Sequence, residues 1–163
     1  MVKIFYRNVS LRETPRNAKE IHELGIFKTN KLNMMEITFD GGKVVTAHSH
    51  GHQIKTDQPV SSGGENSAPA PFELYLASIG TCAGIYVKSF CDNRKIPTDK
   101  IKIIQNNEFD KESGLPVNIT LDIQLPADFP EKYKAAVISV AALCKVKRSI
   151  ASPPVFNVIT SDI

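Results

Sequence analysis

The chain lacks tryptophan, and its 163 residues include only three cysteines, at positions 82, 91 and 144. Secreted domains that depend on disulfides carry an even number of closely spaced cysteines, so the odd count and wide spacing exclude that class. No Cys-x-x-Cys pair occurs, which excludes a zinc ribbon and a thioredoxin motif. Widely spaced cysteines in a reducing compartment are either inert core residues or reactive thiols.

The chain also lacks a strong excess of charge of one sign. Twenty Lys and Arg residues are scattered among 17 acidic residues, and the formal net charge is +3. No aromatic run interleaved with basic residues is present to stack on bases. We therefore expect no nucleic-acid partner.

Long hydrophobic runs are scarce. The first residues do not lead into the apolar core of a secretory signal. The stretch from Leu74 to Val87 is uncharged, but it is shorter than the roughly 20 residues that span a bilayer. We expect a cytoplasmic protein without a membrane segment, folded as a single domain over residues 1–163.

Alternating apolar residues and Gly- or Pro-rich turns predict an α+β fold. The first 30 residues are hard to interpret, and their role is left open, with Ile4–Tyr6 as a candidate strand and Asn17–Leu24 as a candidate helix. The predicted strands cover residues 35–39, 43–47, 52–57, 102–107, 117–125 and 155–160. The predicted helices cover residues 71–93 and about 128–150.

The first long helix begins at Pro71, a favoured first-turn residue, and Glu73 complements its positive end. Its middle is apolar or small on every face, which predicts burial on all sides. Gly80 and Gly84 share a face where another backbone could approach. Because one small subunit can hardly enclose such a helix, a dimer is the simplest arrangement.

The second helix is predicted to open with a capping box at Asp128–Glu131. Its apolar stripe includes Val137 and Cys144, and three basic residues lie near its C-terminal end, Lys145, Lys147 and Arg148. Cys82 lies in the first helix among small residues. If the two helices pack, the Cα atoms of Cys82 and Cys144 could come within the roughly 4.4–6.8 Å that a disulfide requires.

Two further features leave alternatives open. Cys91 follows Cys82 by nine residues and points to the opposite side of the helix, so it should not join the same site. All three cysteines could equally be buried hydrophobic residues. His48, His50 and His52 alternate, which fits either a metal site or a polar strand face. The lack of neighbouring Cys or carboxylate ligands favours the polar face, and we predict no metal.

Two segments resemble the OsmC/Ohr family, and the resemblance covers about residues 35–160. The first contains Thr56-Asp-Gln-Pro59, Gly63-Gly64 and the run from Ala68 to Cys82. The second contains Ala142-Leu-Cys144, Val146, Ser149-Ile150 and Pro154-Val155. In detail the chain is similar to the OsmC-like branch rather than to Ohr proper.

The resemblance implies an OsmC-like fold, an intertwined homodimer with two long central helices packed between antiparallel β-sheets. It also implies a peroxidase that reduces organic hydroperoxides without a cofactor. Cys82 would be the peroxidatic thiol and Cys144 would resolve it as a disulfide. An external dithiol, possibly of the lipoyl type, would then reduce that disulfide.

The chain departs from the family at the residues that activate the first cysteine. The family pairs an upstream Arg with a Glu, but no Arg occurs from Asn17 to Asn93. Phe72 stands at the Glu position, and the adjacent Glu73 should point away from Cys82. Possible accessory residues are Glu73 and an imidazole such as that of His52. The alternative functions are a non-catalytic OsmC-like dimer that binds a hydrophobic small molecule, and a structural protein.

Overall fold

The structure, a computed structural model, describes residues 34–162. The predicted strand Ile4–Tyr6 and helix Asn17–Leu24 lie outside these residues. The described part is α+β with antiparallel sheets, as the sequence predicts. Its strands are β1 (Glu36–Phe39), β2 (Val45–Ser49), β3 (His52–Thr56), β4 (Lys102–Phe109) and β5 (Pro116–Gln124), and its helices are α1 (Pro71–Asp92), α2 (Lys134–Ala142) and α3 (Lys145–Ala151).

The first sheet is antiparallel with the order β1-β2-β3. Phe39 pairs with Val45 across the predicted Gly-rich turn, and Ser49 pairs with His52. His50 and Gly51, between β2 and β3, have positive φ angles of 52° and 78°. Two-residue hairpin turns favour this conformation because it matches the twist of the strands.

The second sheet is the antiparallel pair β4-β5, which packs on α1. Gln105 pairs with Leu121, and Ile103 with Ile123. Half-buried and exposed residues alternate along both strands. This is the period-two pattern of a sheet with one covered face, and it confirms the strands predicted over residues 102–107 and 117–125.

The core forms where α1 meets the C-terminal helices. Residues of α1 that are at most 8% exposed pack with equally buried residues from the segment 129–144. The cluster consists of Ala83, Val87, Phe90, Cys91, Phe129, Val137, Ala141 and Cys144. Burial of such apolar side chains is the main favourable contribution to folding.

Only one side of α1 is enclosed by the described chain. Phe72, Tyr75 and Ile85 are 41%, 38% and 59% exposed, so the expected burial on every side is not met within one protomer. Among the described residues, α1 is the one helix long and apolar enough to cross a membrane by length and composition, with a mean hydropathy of 1.3. Core helices pass the same test, and the buried side of α1 packs on α2.

The second predicted helix is interrupted, which corrects the expectation of one helix over 128–150. A short 3-10 turn at Glu131–Tyr133 leads into α2, and the chain leaves helical geometry at Leu143–Cys144 before α3 begins. The capping box does not form, because Pro130 is extended and makes no side-chain cap. Phe129 precedes Pro130, and the helical conformation is disfavoured for a residue before proline. The helix therefore does not begin at Phe129.

The predicted strand at 155–160 is wrong for the described chain. Residues 153–162 have no regular secondary structure, and Val155, Phe156 and Val158 are at least 80% exposed. The apolar pattern has the composition of a strand. A strand also needs a neighbour to accept its backbone hydrogen bonds, and neither described sheet pairs with this segment.

The loop that leads into α1 is organised around Asp57, whose side chain is 1% exposed. Its carboxylate accepts hydrogen bonds from the backbone N–H groups of Gln58 (2.7 Å), Ser67 (2.9 Å) and Glu65 (3.2 Å), and from the Ser67 hydroxyl (2.8 Å). The chain passes so close that a Cβ on Gly64 would lie 2.0 Å from the Gln58 carbonyl oxygen. Asp57 thereby fixes the segment that positions the start of α1.

We predict that Asp57→Asn destabilises the protein near neutral pH, because the amide cannot accept the same set of hydrogen bonds. The Ser67 and Gln58 backbone N–H groups lower the pKa of Asp57 from 3.8 to about 2. A lowered folded-state pKa stabilises the fold above the unfolded value, and this contribution is lost as pH falls from 3.8 towards 2. The urea midpoint of the variant should therefore lie below that of the wild type at neutral pH, and the gap should close on acidification. Asp99→Asn, at an exposed position, is the control. A difference in urea midpoint between Asp57→Asn and the wild type that does not change with pH would contradict the prediction.

Candidate active site

Cys82 lies on α1, half-buried, facing the junction between α2 and α3. The backbone N–H of Val146 and the Cys144 thiol are the largest causes of a lowered pKa of the Cys82 thiol. Burial of the Cys82 sulfur opposes these effects and raises its pKa. The backbone N–H of Lys145 and the positive charge of Lys147 lower the pKa further. The site therefore favours the thiolate, which is the nucleophilic form of cysteine.

Cys144 is fully buried at the first residue outside α3, with an extended backbone (φ −46°, ψ 122°). Its Sγ lies 3.7 Å from the Ile79 carbonyl oxygen, to which it donates a hydrogen bond. Since a thiol carries one proton, Cys144 can donate to Ile79 or to Cys82, but not to both at once. The structure thus brings together the side chains of Cys82 and Cys144, both as free thiols.

Cys91 occupies a different environment. It is fully buried in the core cluster, and burial raises the pKa of its thiol, with the Asp92 charge adding to the effect and the Lys88 and Arg94 charges opposing it. Neither Cys82 nor Cys144 is among the groups that shift this pKa. Cys91 accordingly has the character of an inert core thiol.

Glu73 and His52, the two accessory candidates, lie elsewhere. The Glu73 carboxylate accepts a hydrogen bond from the Ala70 backbone N–H at 2.8 Å, which is the role of a first-turn charge. His52 is exposed on β3. All groups that shift the pKa of Cys82 lie within residues 144–147, so neither candidate acts on this thiol in the described chain.

The other two histidines of the alternating set make local contacts. His48 Nε2 lies 3.0 Å from the Thr38 hydroxyl, and His50 Nδ1 lies 2.8 Å from the Ser49 hydroxyl. Within residues 34–162 no group of three His, Cys, Asp or Glu side chains could hold a metal ion. His48 lies on β2 and His52 on β3, whereas His50 lies in the turn between them, so the three do not share one strand face.

The backbone groups that lower the pKa of Cys82 were missed by the sequence analysis. In one continuous helix the N–H groups of Lys145 and Val146 would be bonded to carbonyl groups one turn earlier. The interruption at Cys144 makes them the first N–H groups of α3, and such groups have no partner within their helix. The basic residues after Cys144 were assigned to a helix C-terminus, whereas Lys145–Lys147 form the start of a new helix.

A groove of about 570 Å³ is lined by residues close in the chain to the two cysteines, including Ile79 and Ala142. Ile79 lines it and also accepts the Cys144 hydrogen bond, while Lys147 lines it and also acts on Cys82. The rest of the lining is apolar except for Asp122, and consists of Ile119, Leu121, Ile123, Ile138, Ala141, Ala142 and Ile150. The arrangement can hold an apolar molecule beside a reactive sulfur.

Gly80 and Gly84 share one face of α1, where another backbone was expected to approach. In the described chain this face contacts side chains instead. A Cβ on Gly80 would lie 2.7 Å from Gln105 Oε1, and one on Gly84 would lie 3.8 Å from Ile103 Cδ1. Gln105 Nε2 donates to the Leu76 carbonyl at 3.0 Å. The absence of a side chain at Gly80 lets the Gln105 amide reach the helix backbone.

We predict that iodoacetamide alkylates Cys82 well before Cys91. The lowered pKa and partial exposure of Cys82 raise its thiolate fraction and accessibility, whereas burial protects Cys91. Peptide mass spectrometry over a range of pH should show Cys82 reacting at lower pH, with Cys91 modified only in urea. Equal rates for the two thiols in the folded protein would contradict this assignment.

Comparisons with known proteins agree with the sequence motifs. A search of curated protein sequences finds no match. The chain is similar in structure to a candidate osmotic stress induced and detoxification response protein from Psychrobacter arcticus, with a TM-score of 0.61 and 18% identity over 71% of this chain and 85% of that one. It is also similar to an OsmC-like protein from Mycoplasma pneumoniae (TM-score 0.58, 14% identity, 74% and 87% covered) and to an OsmC-like protein of unknown function from Vibrio cholerae (0.53, 10%, 71% and 91%). The sequence profile of the family described as OsmC-like protein matches residues 64–159, and the chain therefore belongs to the OsmC-like family.

Proposed function

We propose that the protein is a thiol-dependent peroxidase that reduces organic hydroperoxides, with Cys82 as the peroxidatic cysteine and Cys144 as the resolving cysteine. The observation that carries the proposal is the surroundings of the Cys82 sulfur. One thiol contacts a second thiol and also receives two backbone N–H groups that favour its ionised form. A thiol that only packs in a core gains neither feature, as Cys91 illustrates.

The first step is attack of the Cys82 thiolate on the terminal oxygen of the hydroperoxide. A sulfur–oxygen bond forms, the oxygen–oxygen bond breaks, and the alkoxide that leaves takes a proton to become an alcohol. Sulfur is oxidised to a sulfenic acid and the peroxide is reduced. The Lys145 and Val146 N–H groups stabilise the attacking anion before the reaction.

The second step forms a disulfide between the two cysteines. The Cys144 sulfur attacks the sulfenic sulfur of Cys82, and water leaves with the Cys144 proton. An external dithiol then reduces the disulfide by thiol exchange through a mixed disulfide, which restores both thiols. A lipoyl-type dithiol fits this requirement. No cofactor or metal is needed for the cycle.

The apolar groove beside the thiols supports an organic substrate rather than hydrogen peroxide. Six of its lining residues are Ile or Leu. Burying an alkyl or aryl group there would gain about 25 cal/mol for each Å² removed from water, a gain that hydrogen peroxide cannot supply. The apolar groove therefore supports a role in the response to oxidative stress.

We further propose that the active form is a homodimer in which one OsmC-like domain, residues 1–163, interlocks with a second copy. The exposed apolar residues of α1 and of the segment 153–162 support this arrangement, because contiguous apolar surface marks association sites. The cytoplasm is the expected location, since a cycle that begins from free thiols requires a reducing compartment.

The same groove favours one alternative, a non-catalytic OsmC-like dimer that binds a hydrophobic small molecule. Its volume of about 570 Å³ lies in the range of small-molecule sites. In that case the cysteines would lie near the groove without reacting. A purely structural role for the cysteines accounts for Cys91 but not for the lowered pKa of Cys82.

We predict that cumene hydroperoxide converts reduced protein into a species with a Cys82–Cys144 disulfide. Cys82→Ser should abolish oxidation, because the thiolate is lost. Cys144→Ser should leave Cys82 as a sulfenic acid, trapped by dimedone. The measurement is peptide mass spectrometry of a time course at stoichiometric peroxide.

Cys91→Ser is the matched control and should react like the wild type. Unreacted thiols together with a hydrophobic molecule retained by the native protein would support the alternative. A disulfide that includes Cys91 would contradict the assignment of roles.

We predict a dimer in solution. Sedimentation equilibrium should give about twice the chain mass of 18.0 kDa. Ile85→Glu, which places a charge on the exposed apolar face of α1, should weaken association by at least tenfold, because burial of an unpaired charge is costly. A wild-type monomer at micromolar concentration would refute the interlocked arrangement.

A further inference from the structure

We propose that a cavity beyond the C-terminal end of α1 binds a small organic anion, one that carries a carboxylate or phosphate group on a flat apolar body. The cavity measures about 660 Å³, which lies in the range of small-molecule sites. Cys82 lies about 15 Å before the end of α1 along the helix axis, and neither Cys82 nor Cys144 lines the cavity. The site is thus separate from the two thiols and goes beyond the proposed peroxidase.

This α1-end cavity combines an apolar lining with a basic one. It lies between the loop 94–100, which follows α1, and the segment 126–133, which leads into α2. Phe129 is buried, and Ile96, Pro130 and Tyr133 are half-buried. The charged lining consists of four cations and two carboxylates, namely Arg94, Lys95, Lys100, Lys132, Asp99 and Asp128. A ligand with an apolar body and an anionic group would match both parts.

The positive charge of the α1-end cavity is not neutralised within residues 34–162. Four cations and two carboxylates leave a formal charge of +2. The ion pairs in this part of the chain include no residue of the lining, since they are Lys88–Asp92 and Lys134–Glu131. The C-terminal end of a helix carries the equivalent of about half a negative charge, which is too little to balance the excess. A concave surface with such an excess attracts anions.

Arg94 is held in place by aromatic side chains. Its guanidinium carbon lies 3.7 Å from the centre of the Phe90 ring and 5.4 Å from that of the Tyr133 ring. Arg94 Nη1 donates to the Phe90 carbonyl at 3.2 Å. A guanidinium has five N–H donors, so donors remain for a carboxylate or phosphate group. Because the side chain is already positioned, it loses little freedom when it binds an anion.

Lys95 occupies a backbone position that favours glycine. Its φ angle is 56°, its N–H donates to the Asp92 carbonyl at 3.0 Å, and the Ile96 N–H donates to the Cys91 carbonyl at 3.0 Å. This is the Schellman arrangement at a helix C-terminus, in which the left-handed residue is usually glycine. A Cβ crowds the following carbonyl oxygen in that conformation. Strained residues cluster at ligand sites, and a role for the Lys95 ammonium in binding an anion accounts for a lysine here.

The first test titrates the full-length protein with phenyl phosphate and with benzoate and follows the backbone amide signals by NMR. At least one probe should saturate with a Kd below about 1 mM and shift the signals of residues 94–100 and 129–133. Neutral benzyl alcohol should bind more weakly, because it lacks the charge. Lys95→Met should weaken binding of the anion by about 2- to 5-fold, the range of an exposed ion pair. Lys111→Met, at an exposed position outside the cavity, is the matched control and should have no effect.

The second test uses Lys95→Gly, which removes the backbone strain together with the charge. Its melting temperature should rise by about 2–4 °C, the shift expected from a small gain in stability in a domain of this size. Its affinity for the anionic probe should fall as in Lys95→Met. A stabilised variant with weakened binding would show that Lys95 is retained for the ligand. Unchanged affinity in both variants would overturn that role.

The remaining outcomes decide whether the site exists. If neither probe saturates, or if the shifted signals map to another part of the protein, the proposal is overturned. If the same signals shift when the protein alone is diluted, a second copy of the chain occupies the cavity, and the small-molecule site is rejected. None of these measurements involves the thiols, so the peroxidase and the anion site stand or fall separately.

Discussion

The interruption of the helix at Leu143–Cys144 is the constraint on which the candidate site depends. It releases the N–H groups of Lys145 and Val146 from the helical hydrogen-bond ladder and turns the Cys144 sulfur towards the Ile79 carbonyl. Both effects act on the same point of α1, which is Cys82. Two short helices separated by Leu143 and Cys144 therefore provide what one continuous helix could not, a set of free hydrogen-bond donors beside a thiol.

Cys82 and Cys91 show how strongly surroundings decide the chemistry of one residue type. They lie on the same helix, yet the pKa of one is lowered by hydrogen bonds and the pKa of the other is raised by burial. The difference arises from what packs against each side of α1. Cys82 meets polar backbone groups and a cation, whereas Cys91 lies in the hydrophobic cluster. Reactivity is thus a property of the packing partner rather than of the helix.

The sequence predicts the features that depend on local patterns. The Gly-rich turn after Phe39, the Pro71 start of α1 and the alternation in β5 are each coded by neighbouring residues, and all are observed. The break at Cys144 could not be predicted, because Lys134–Ala151 is rich in residues that favour helix and carries neither Gly nor Pro to mark a stop. The strand at 155–160 was overpredicted because its composition does not reveal whether a neighbour is available. The sequence predicts that Cys82 and Cys144 come together, and their side chains do interact, but the backbone groups around them depend on long-range packing.

The hydrogen bond between Cys144 and Ile79 has a consequence for repeated turnover. The Ile79 carbonyl belongs to the middle of α1, where helical geometry supplies a backbone N–H four residues later. If Cys144 lost its proton in a disulfide, the Ile79 carbonyl oxygen would therefore still accept the hydrogen bond within the helix. The rearrangement would be confined to Leu143 and Cys144, between α2 and α3, while the backbone of α1 stays intact. In the proposed redox cycle, α1 would therefore keep its backbone hydrogen bonds in both the thiol and the disulfide form.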